Sequence, residues 1–534
     1  MLTALRTDPQ GDDITSAHKH TLVSLALLAL SLIISGCSSL PKEVERTPSY
    51  VITDTASTRL AGEVSPLLDA NPGQSGFHLL YDGAEAYAMR LRLIRQAEKS
   101  VDAQYYIWHA DLTGNSMYAE LLRAADRGVR VRILLDDLDT AGKDKWLQLM
   151  DTHPQIQVRV YNPFVHRDLR GLDFVTDTKR VDHRMHTKTL TADNQVTIFG
   201  GRNIGDEYFA AATDVGFGDM DVMALGPIAG EVSSQFDLFW NSEWVYPITA
   251  FDPDKLINVS DIEAFRVAAE KYLREAQQSD YAAVLRELDQ GSYNFADLDL
   301  AWSNWFLAYD SPDNLVKEEL DPETSLAPRL KQGMDAAQQE LDIVSPYFVP
   351  GEDFTKYLTD RVAGGVRVRI LTNSLSANDV GLVHAGYMRY REDLIAGGVE
   401  LYEFKSTRNR ELEKAQGRNK INAERASLHA KFMGFDRRFL FIGSFNLDAR
   451  SAVLNTELGA YFADPVYAQR MAELFDRQIL QVAYHVRLDG DGELEWFTID
   501  PNGQEVRLDQ EPDTTFWQRF NTRVLSPIVP ESEL

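Results

Sequence analysis

The spacing of apolar residues becomes regular near residue 84. From Ala84 to Ser100, Ala86, Met89, Leu91, Leu93 and Ile94 recur at helical spacing. Val101-Asp102-Ala103-Gln104-Tyr105-Tyr106-Ile107 then alternates as a strand does. Ser116 to Arg127 returns to the helical period and stops at Gly128, and Val129 to Leu135 predicts a second strand. The pattern comes back in the second half. Leu341 to Phe348 predicts a strand, Glu352 to Val362 a helix, and Gly365 to Leu371 a strand. Gly128 to Leu134 and Gly365 to Leu371 are the same seven residues, Gly-Val-Arg-Val-Arg-Ile-Leu, 237 positions apart. A repeating strand–helix–strand unit predicts a duplicated α/β domain with a largely parallel central sheet.

Other stretches break this rhythm. Asp254 to Asp310 is helical in pattern, above all Ile262 to Leu288, and carries Trp302, Trp305 and Phe306. It reads as a linker or lid, its aromatic side chains serving the core or, alternatively, acyl chains. Val482 to Leu508 holds two hairpin signals, Gly490-Asp491-Gly492 and Asn502-Gly503, and predicts a C-terminal β extension. Ser38 to about Gln74 is polar and rich in Pro, Thr and Ser, the composition of a flexible tether. The expected division is residues 1–37 as a leader, 38–75 as tether, 76–250 and 321–480 as the duplicated domains, 251–320 as linker or lid, and 481–534 as β extension and tail.

The leader changes the picture. Thr21 to Ile34 is nearly all apolar and too short for a comfortable span, which needs about 20 residues. It fits a signal-peptide core, with His18, Lys19 and His20 as its cationic flank. Ile34-Ser35-Gly36-Cys37 then reads as a lipobox, and Cys37 is the chain's single cysteine. Cys37 is thus the expected lipidation site, anchoring the chain in the bacterial envelope, with no Asp following it to favour retention in the inner membrane. A retained helical anchor and a core helix with a buried cysteine are the alternatives. Asp8, Asp12 and Asp13 sit poorly in a signal peptide and suggest a start codon downstream of Met1.

Charge and cysteine count exclude several functions. A net charge of −27 disfavours nucleic-acid binding, which rests on clustered Lys and Arg. It also repels anionic lipid, so a phosphate site needs local positive charge. Candidates are Lys405 to Arg425 (seven Lys/Arg, three Glu) and His166 to Arg184 (five Lys/Arg, four Asp). A single cysteine and scattered histidines give no metal-ligand spacing, so neither a metal centre nor another cofactor is expected.

The candidate chemistry lies in two stretches of equal spacing. Met185-His-Thr-Lys-Thr-Leu-Thr-Ala-Asp193 leads into Gly200-Gly201-Arg202-Asn203. Leu428-His-Ala-Lys-Phe-Met-Gly-Phe-Asp436 leads into Gly443-Ser444-Phe445-Asn446. One copy would be weak evidence; two in register are not ordinary surface hairpins. On a strand, the two-residue step from His186 to Lys188, and from His429 to Lys431, puts each pair on one face. Two histidines and two lysines aimed at one phosphate can supply a nucleophile, a proton donor and positive charge.

This doublet resembles the phospholipase D superfamily. Arg184-Met-His-Thr-Lys188, Gly200-Gly-Arg-Asn-Ile-Gly-Asp-Glu-Tyr-Phe209, Gly443-Ser-Phe-Asn-Leu-Asp-Ala-Arg-Ser451 and Asn455-Thr-Glu-Leu-Gly459 are most similar to its bacterial cardiolipin synthase branch. The resemblance runs from about Gly76 to the C-terminus. It implies two mostly parallel sheets packed about a pseudo-twofold axis, with the site between them. It implies a phosphohistidine intermediate on phospholipid substrates, without metal. His186 is then the nucleophile and His429 the acid–base, a choice the symmetry of the motifs leaves open. Asn203, Ser444 and Asn446 complete the phosphate cage, and Gly201 replaces Ser. Asp193 and Asp436 belong to the catalytic motif but are expected to fix its strand–turn geometry. By position, the carboxylates that orient the histidines are Glu457 and Asp219, with Asp221 two residues away as an alternative to the latter. The implied reaction is phosphatidyl transfer. Hydrolysis to phosphatidate, nucleic-acid cleavage and an idle envelope scaffold are the rivals.

Overall fold

A computed structural model describes residues 39–212, 215–251, 257–279, 281–282, 286, 294–316, 321, 323–407, 425–500, 502–527 and 530. Cys37, the rest of the leader and most of the basic run Lys405 to Arg425 lie outside the described residues.

Two large sheets form the core. The first has nine strands, in the order Val245–Pro247, Ile156–Tyr161, Arg130–Asp136, Ser100–Tyr105, Thr189–Ala192, Val196–Gly200, Asp221–Leu225, Ser75–Leu80, Ala301–Ser303. The second has ten, in the order Trp305–Tyr309, Leu458–Ala463, Phe439–Gly443, Phe432–Phe435, Glu340–Val344, Arg367–Asn373, Glu400–Phe404, Ala483–Leu488, Leu494–Ile499, Glu505–Leu508. Read from opposite ends, the two orders match, so the duplication extends beyond the repeated heptapeptide. The expectation of mostly parallel sheets needs correction. Within the two large sheets, only the strands at 100–105, 130–136 and 156–161, and their counterparts at 340–344, 367–373 and 400–404, pair in parallel. The motif strands pair antiparallel because a tight turn, not a helix, joins them.

The sheets meet face to face. Phe77, Phe199, Val222 and Ala224 of the first share one core with Val344, Leu371, Leu440 and Ile442 of the second. Phe77 stacks on Phe462 with ring centroids 4.2 Å apart. Burying this apolar surface is worth about 25 cal/mol per Å². Outer cores under the helices close the other faces.

The second arginine of the repeated heptapeptide acts as a buried clamp. Arg132 holds Asp102 of the next strand in a two-pronged pair (2.7 and 2.8 Å) and reaches Asp237 at 2.8 Å. Arg369 likewise holds Asp342 (2.6 and 2.9 Å) and Asp476 (2.7 Å). Losing one partner of such a pair leaves an uncompensated buried charge, at a cost of about 3–5 kcal/mol.

Three further regions flank these sheets. Residues 39–75 are not a loose tether. Val51 N–H donates to Asp237 at 2.7 Å, and Arg46 donates to the Val245 carbonyl at 2.9 Å. A helix, Arg59–Ala70, capped by Thr58, buries Leu60 and Val64. Polar composition misleads here because backbone and side-chain hydrogen bonds, not apolar area, fix much of the strap. The described part of 251–320 takes the linker alternative. Its helix, Val259–Gln278, packs on helix Leu112–Asp126. Trp302 and Trp305–Phe306 lie on edge strands, one in each sheet. The β extension after residue 481 is present and widens the second sheet. The tail also forms a helix, Phe516–Leu525.

Candidate active site

Each motif histidine follows a short strand that pairs with the other half of the chain. Arg184–Met185 runs parallel to Asn455–Thr456, and His186 N–H donates to the Thr456 carbonyl at 2.9 Å. Arg425–Leu428 runs parallel to Val215–Gly218, and His429 N–H donates to the Gly218 carbonyl at 2.8 Å. The residue after each partner segment is a carboxylate. Glu457 therefore meets His186 Nδ1, at 2.9 Å from both carboxylate oxygens. Asp219 meets His429 Nδ1 at 2.6 Å. Each half supplies the acid that orients the other half's histidine, and neither half holds a complete site.

Asp221, the alternative to Asp219, is excluded by its partners. It pairs with buried Arg90 at 2.8 Å and Arg202 at 3.3 Å. Its strand begins at Asp221, so Asp219 lies on the loop before it. Arg202 fixes that loop by donating to the carbonyls of Asp219 (2.6 Å), Leu80 (2.6 Å) and Tyr208 (3.1 Å). The absence of Ser at 201 also has a local cause. A Cβ on Gly201 would sit 2.2 Å from Asp219 Oδ1. In the other half, Ser444 donates to the longer Glu457.

His186, Lys188, His429 and Lys431 are all buried. Each lysine donates to its own histidine's carbonyl oxygen. Burial, with Lys188 and Lys431 nearby, holds the His186 imidazole well below its usual range. Burial and Lys431 also lower His429, but Asp219 opposes them. Despite burial, the His429 contact and Lys431 keep the Asp219 carboxyl below its ordinary value. Burial pushes Glu457 up to about 7, against the pull of Lys188 and Ser444. Burial lowers both lysines, Lys188 strongly and Lys431 to about 8. The two histidine–acid pairs are thus unequal: a carboxylate beside His429, and a more readily protonated acid beside His186.

The remaining motif residues divide. Asp193 accepts from the backbone N–H groups of Glu98 (3.0 Å), Lys99 (2.7 Å) and Ser100 (2.9 Å). Asp436 does the same for Gln338, Gln339 and Glu340 (2.9, 2.7 and 2.9 Å). Both sit at positive φ, 49° and 50°, in the hairpin turn after the motif strand. Neither contacts the histidines; both tie the turn to the neighbouring strand, as expected. Replacing Asp193 with Ala should lower unfolding free energy by about 1.5–3 kcal/mol, three charge-assisted bonds being lost. Turnover per folded molecule should change only a few-fold; denaturant melts and active-site titration measure both.

Of the expected phosphate cage, Asn203 accepts from Ile107 N–H at 3.3 Å and donates to Tyr208 at 3.0 Å. Ser444 is engaged with Glu457. Asn446 keeps a buried Oδ1 with no hydrogen-bond partner among the described residues. The basic stretch 166–184 is a correction. Arg167 and Arg170 pair with Asp137, Arg180 with Asp177, Arg184 with Asp136, and His166 with Asp173. These charges are internally neutralised and leave little field for a headgroup. The sequence did not reveal the aromatic walls. Tyr106 stands edge-on to His186 (4.8 Å), and Phe217 and Tyr208 flank His429 (5.3 and 5.2 Å). Their only signal was position beside a motif or strand.

Residues 91–240 and 330–479 each match the family model described as "Cardiolipin synthase, PLD-like domain". The chain belongs to this family. Cardiolipin synthase C of Escherichia coli (strain K12) is 40% identical over 481 residues, covering 88% of this chain and 98% of that protein. An uncharacterised protein of Helicobacter pylori (strain ATCC 700392 / 26695) is 31% identical over 525 residues, covering 96% of this chain and all of that one. The crystal structure of phosphatidylserine synthase from Haemophilus influenzae Rd KW20 shares the fold, with a TM-score of 0.53 at 15% identity over 87% of this chain and 96% of that one. The two matched stretches of the cardiolipin synthase family model contain the two histidine motifs, one in each.

Proposed function

We propose that this chain is a phosphatidyltransferase that makes cardiolipin from phospholipids through a phosphohistidine. The observation that carries the reading is the pair of buried histidines, each held at Nδ1 by the other half's carboxylate, in a chain 40% identical to a cardiolipin synthase. With Nδ1 engaged, the Nε2 of each ring is left for chemistry. We assign attack to His186, the more firmly neutral imidazole. Its Nε2 forms a bond to phosphorus as the bond to the leaving alcohol breaks. His429, kept protonatable by Asp219, gives that alcohol its proton. Neutral His429 then takes the proton from an acceptor lipid hydroxyl, whose oxygen displaces His186. Lys188, Lys431 and Asn446 hold the phosphate oxygens. The matching strand orders and reciprocal carboxylates support a pseudo-twofold axis through this site.

Water at about 55 M competes for the intermediate, and only a positioned acceptor beats it; positioning supplies effective molarities of about 10⁵ M or more. In mixed micelles of phosphatidylethanolamine and phosphatidylglycerol, cardiolipin should exceed phosphatidate. Phosphatidate as the main product, unchanged by added phosphatidylglycerol, would make the enzyme a hydrolase. Cleavage of DNA without lipid turnover would overturn the reading.

We also propose that diacylated Cys37 anchors the enzyme in the outer membrane, facing the periplasm. No helix among the described residues is long and apolar enough to cross a membrane. Cys37→Ser should leave an uncleaved or soluble precursor. Retention in the outer membrane after carbonate washing would contradict the lipobox.

A further inference from the structure

The helix Phe516–Leu525 takes no part in the chemistry, yet the fold holds it firmly. Thr515 and Gln518 form a capping box at its start, and Thr522 is buried beneath it. Ahead of it, buried Glu511 accepts from Arg391 at 2.6 Å and lies 3.5 Å from His384 Nε2. Tyr484 donates to Asp513 at 3.0 Å, and Ser526 donates to the Ala385 carbonyl at 2.7 Å. The outward face is apolar. Phe516, Trp517, Phe520 and Val524 are 62%, 66%, 47% and 47% exposed. Their three rings touch, with centroids 5.5 to 6.0 Å apart.

Basic charge accompanies this face. The helix carries Arg519 and Arg523 and no acid. Arg523 and Arg389 line a cavity of about 340 Å³, completed by Met388, Ser526 and Pro527. The apolar surface also reaches the active site. Helix Gly381–Tyr387 packs against the C-terminal helix, and Val380 and Leu382 at its start are exposed. Asp379, next in the chain, accepts from Tyr347 at 2.8 Å. The Tyr347 ring stands edge-on to His429, 6.5 Å away.

We propose that this face docks on the phospholipid bilayer, with the aromatic side chains among the acyl boundaries and the arginines on lipid phosphates. The proposal rests on the phospholipid reading above. Trp and Phe on one side of a helix that carries two Arg and no acid is the composition of a helix that lies in a membrane interface. A chain of net charge −27 is repelled by anionic lipid elsewhere, so a local basic strip orients it. A second copy fits less well, because a twofold contact would bring Arg519 and Arg523 against their own counterparts. Docking here sets the His429 side of the site next to the substrate's own phase.

The test uses the purified full chain and phosphatidylethanolamine–phosphatidylglycerol vesicles with brominated acyl chains. Brominated lipid should quench the tryptophan emission, and Trp517→Phe should remove most of that quenching, whether or not a lipid anchor is also present. A Trp517→Ser/Phe520→Ser variant should raise the apparent KM on vesicles roughly tenfold or more, while turnover of a short-chain, monomeric phospholipid stays unchanged. Equal quenching in Trp517→Phe, or equal losses on both substrates, would overturn the proposal. So would a dimer that this variant dissociates, which would assign the face to a second copy. If the wild type turned over no phospholipid, short-chain or vesicular, the functional reading would fail instead, and the quenching would still report docking.

Discussion

His429→Ala gives a folded protein whose turnover of natural phospholipid falls by about 10²- to 10⁴-fold, the usual worth of a positioned acid–base group. His186→Ala should fall at least as far, because it loses the proposed nucleophile. The two variants part on a phosphatidyl donor with a p-nitrophenol leaving group. That group needs no proton, so His429→Ala should form the phosphoenzyme quickly and release it slowly. A phosphatidyl group should then accumulate on His186, seen as an acid-labile adduct of phosphatidyl mass by mass spectrometry. His186→Ala should form none. A single-histidine variant keeping a large share of turnover would contradict a site shared by both halves, and a phosphatidyl group trapped on His429 would reverse the roles.

Asp219→Asn should lower activity about 10- to 100-fold and move the pH profile. The size follows from the loss of a partner that orients a catalytic ring. The sign follows from the charges around His429. Burial and Lys431 lower that imidazole's pKa, and Asp219 raises it again. Removing the carboxylate lowers it further. His429 must be protonated for the first step, so activity disappears as pH rises through its pKa, and the alkaline limb of kcat/KM should shift to lower pH. The acid limb reflects the need for neutral His186, held well below its ordinary value by burial and by Lys188 and Lys431, and should stay in place. Glu457→Gln should act differently. Glu457 is pushed up to about 7, so it is partly neutral near that pH and its replacement alters orientation more than charge. Its activity should fall with a smaller shift of the alkaline limb. Equal shifts in both variants would contradict the unequal roles of the two histidines.

The chemistry was legible because it rests on local spacing. Histidine and lysine two residues apart on a strand share a face wherever the strand goes, and the repeated heptapeptide exposes the duplication. Glu457 and Asp219 were also within reach, but the crossing, by which each serves the other half, was not. Nothing in a linear pattern says that 184–185 lies beside 455–456. Strand direction was lost for a similar reason: alternation gives a face, and only the connection gives parallel or antiparallel. The strap at 39–70 looked loose because its composition is polar, whereas its order comes from Asp237, Val245 and a helix burying only Leu60, Ala61 and Val64. Basic residues between 166 and 184 suggested a headgroup field until their partners Asp136 and Asp137 became visible. Arg202 gave no signal at all, since its role is to bond carbonyls that come together only in the fold.

In the proposed mechanism, phosphorus is transferred twice, first to His186 and then to the acceptor lipid. Each in-line displacement inverts the phosphorus centre. The most direct test is the steric course of transfer from a phospholipid donor made chiral at phosphorus with sulfur in place of one oxygen. Two displacements on one face of the site predict net retention in the product. Net inversion would mean that the acceptor attacks the donor directly, and that His186 forms no covalent intermediate.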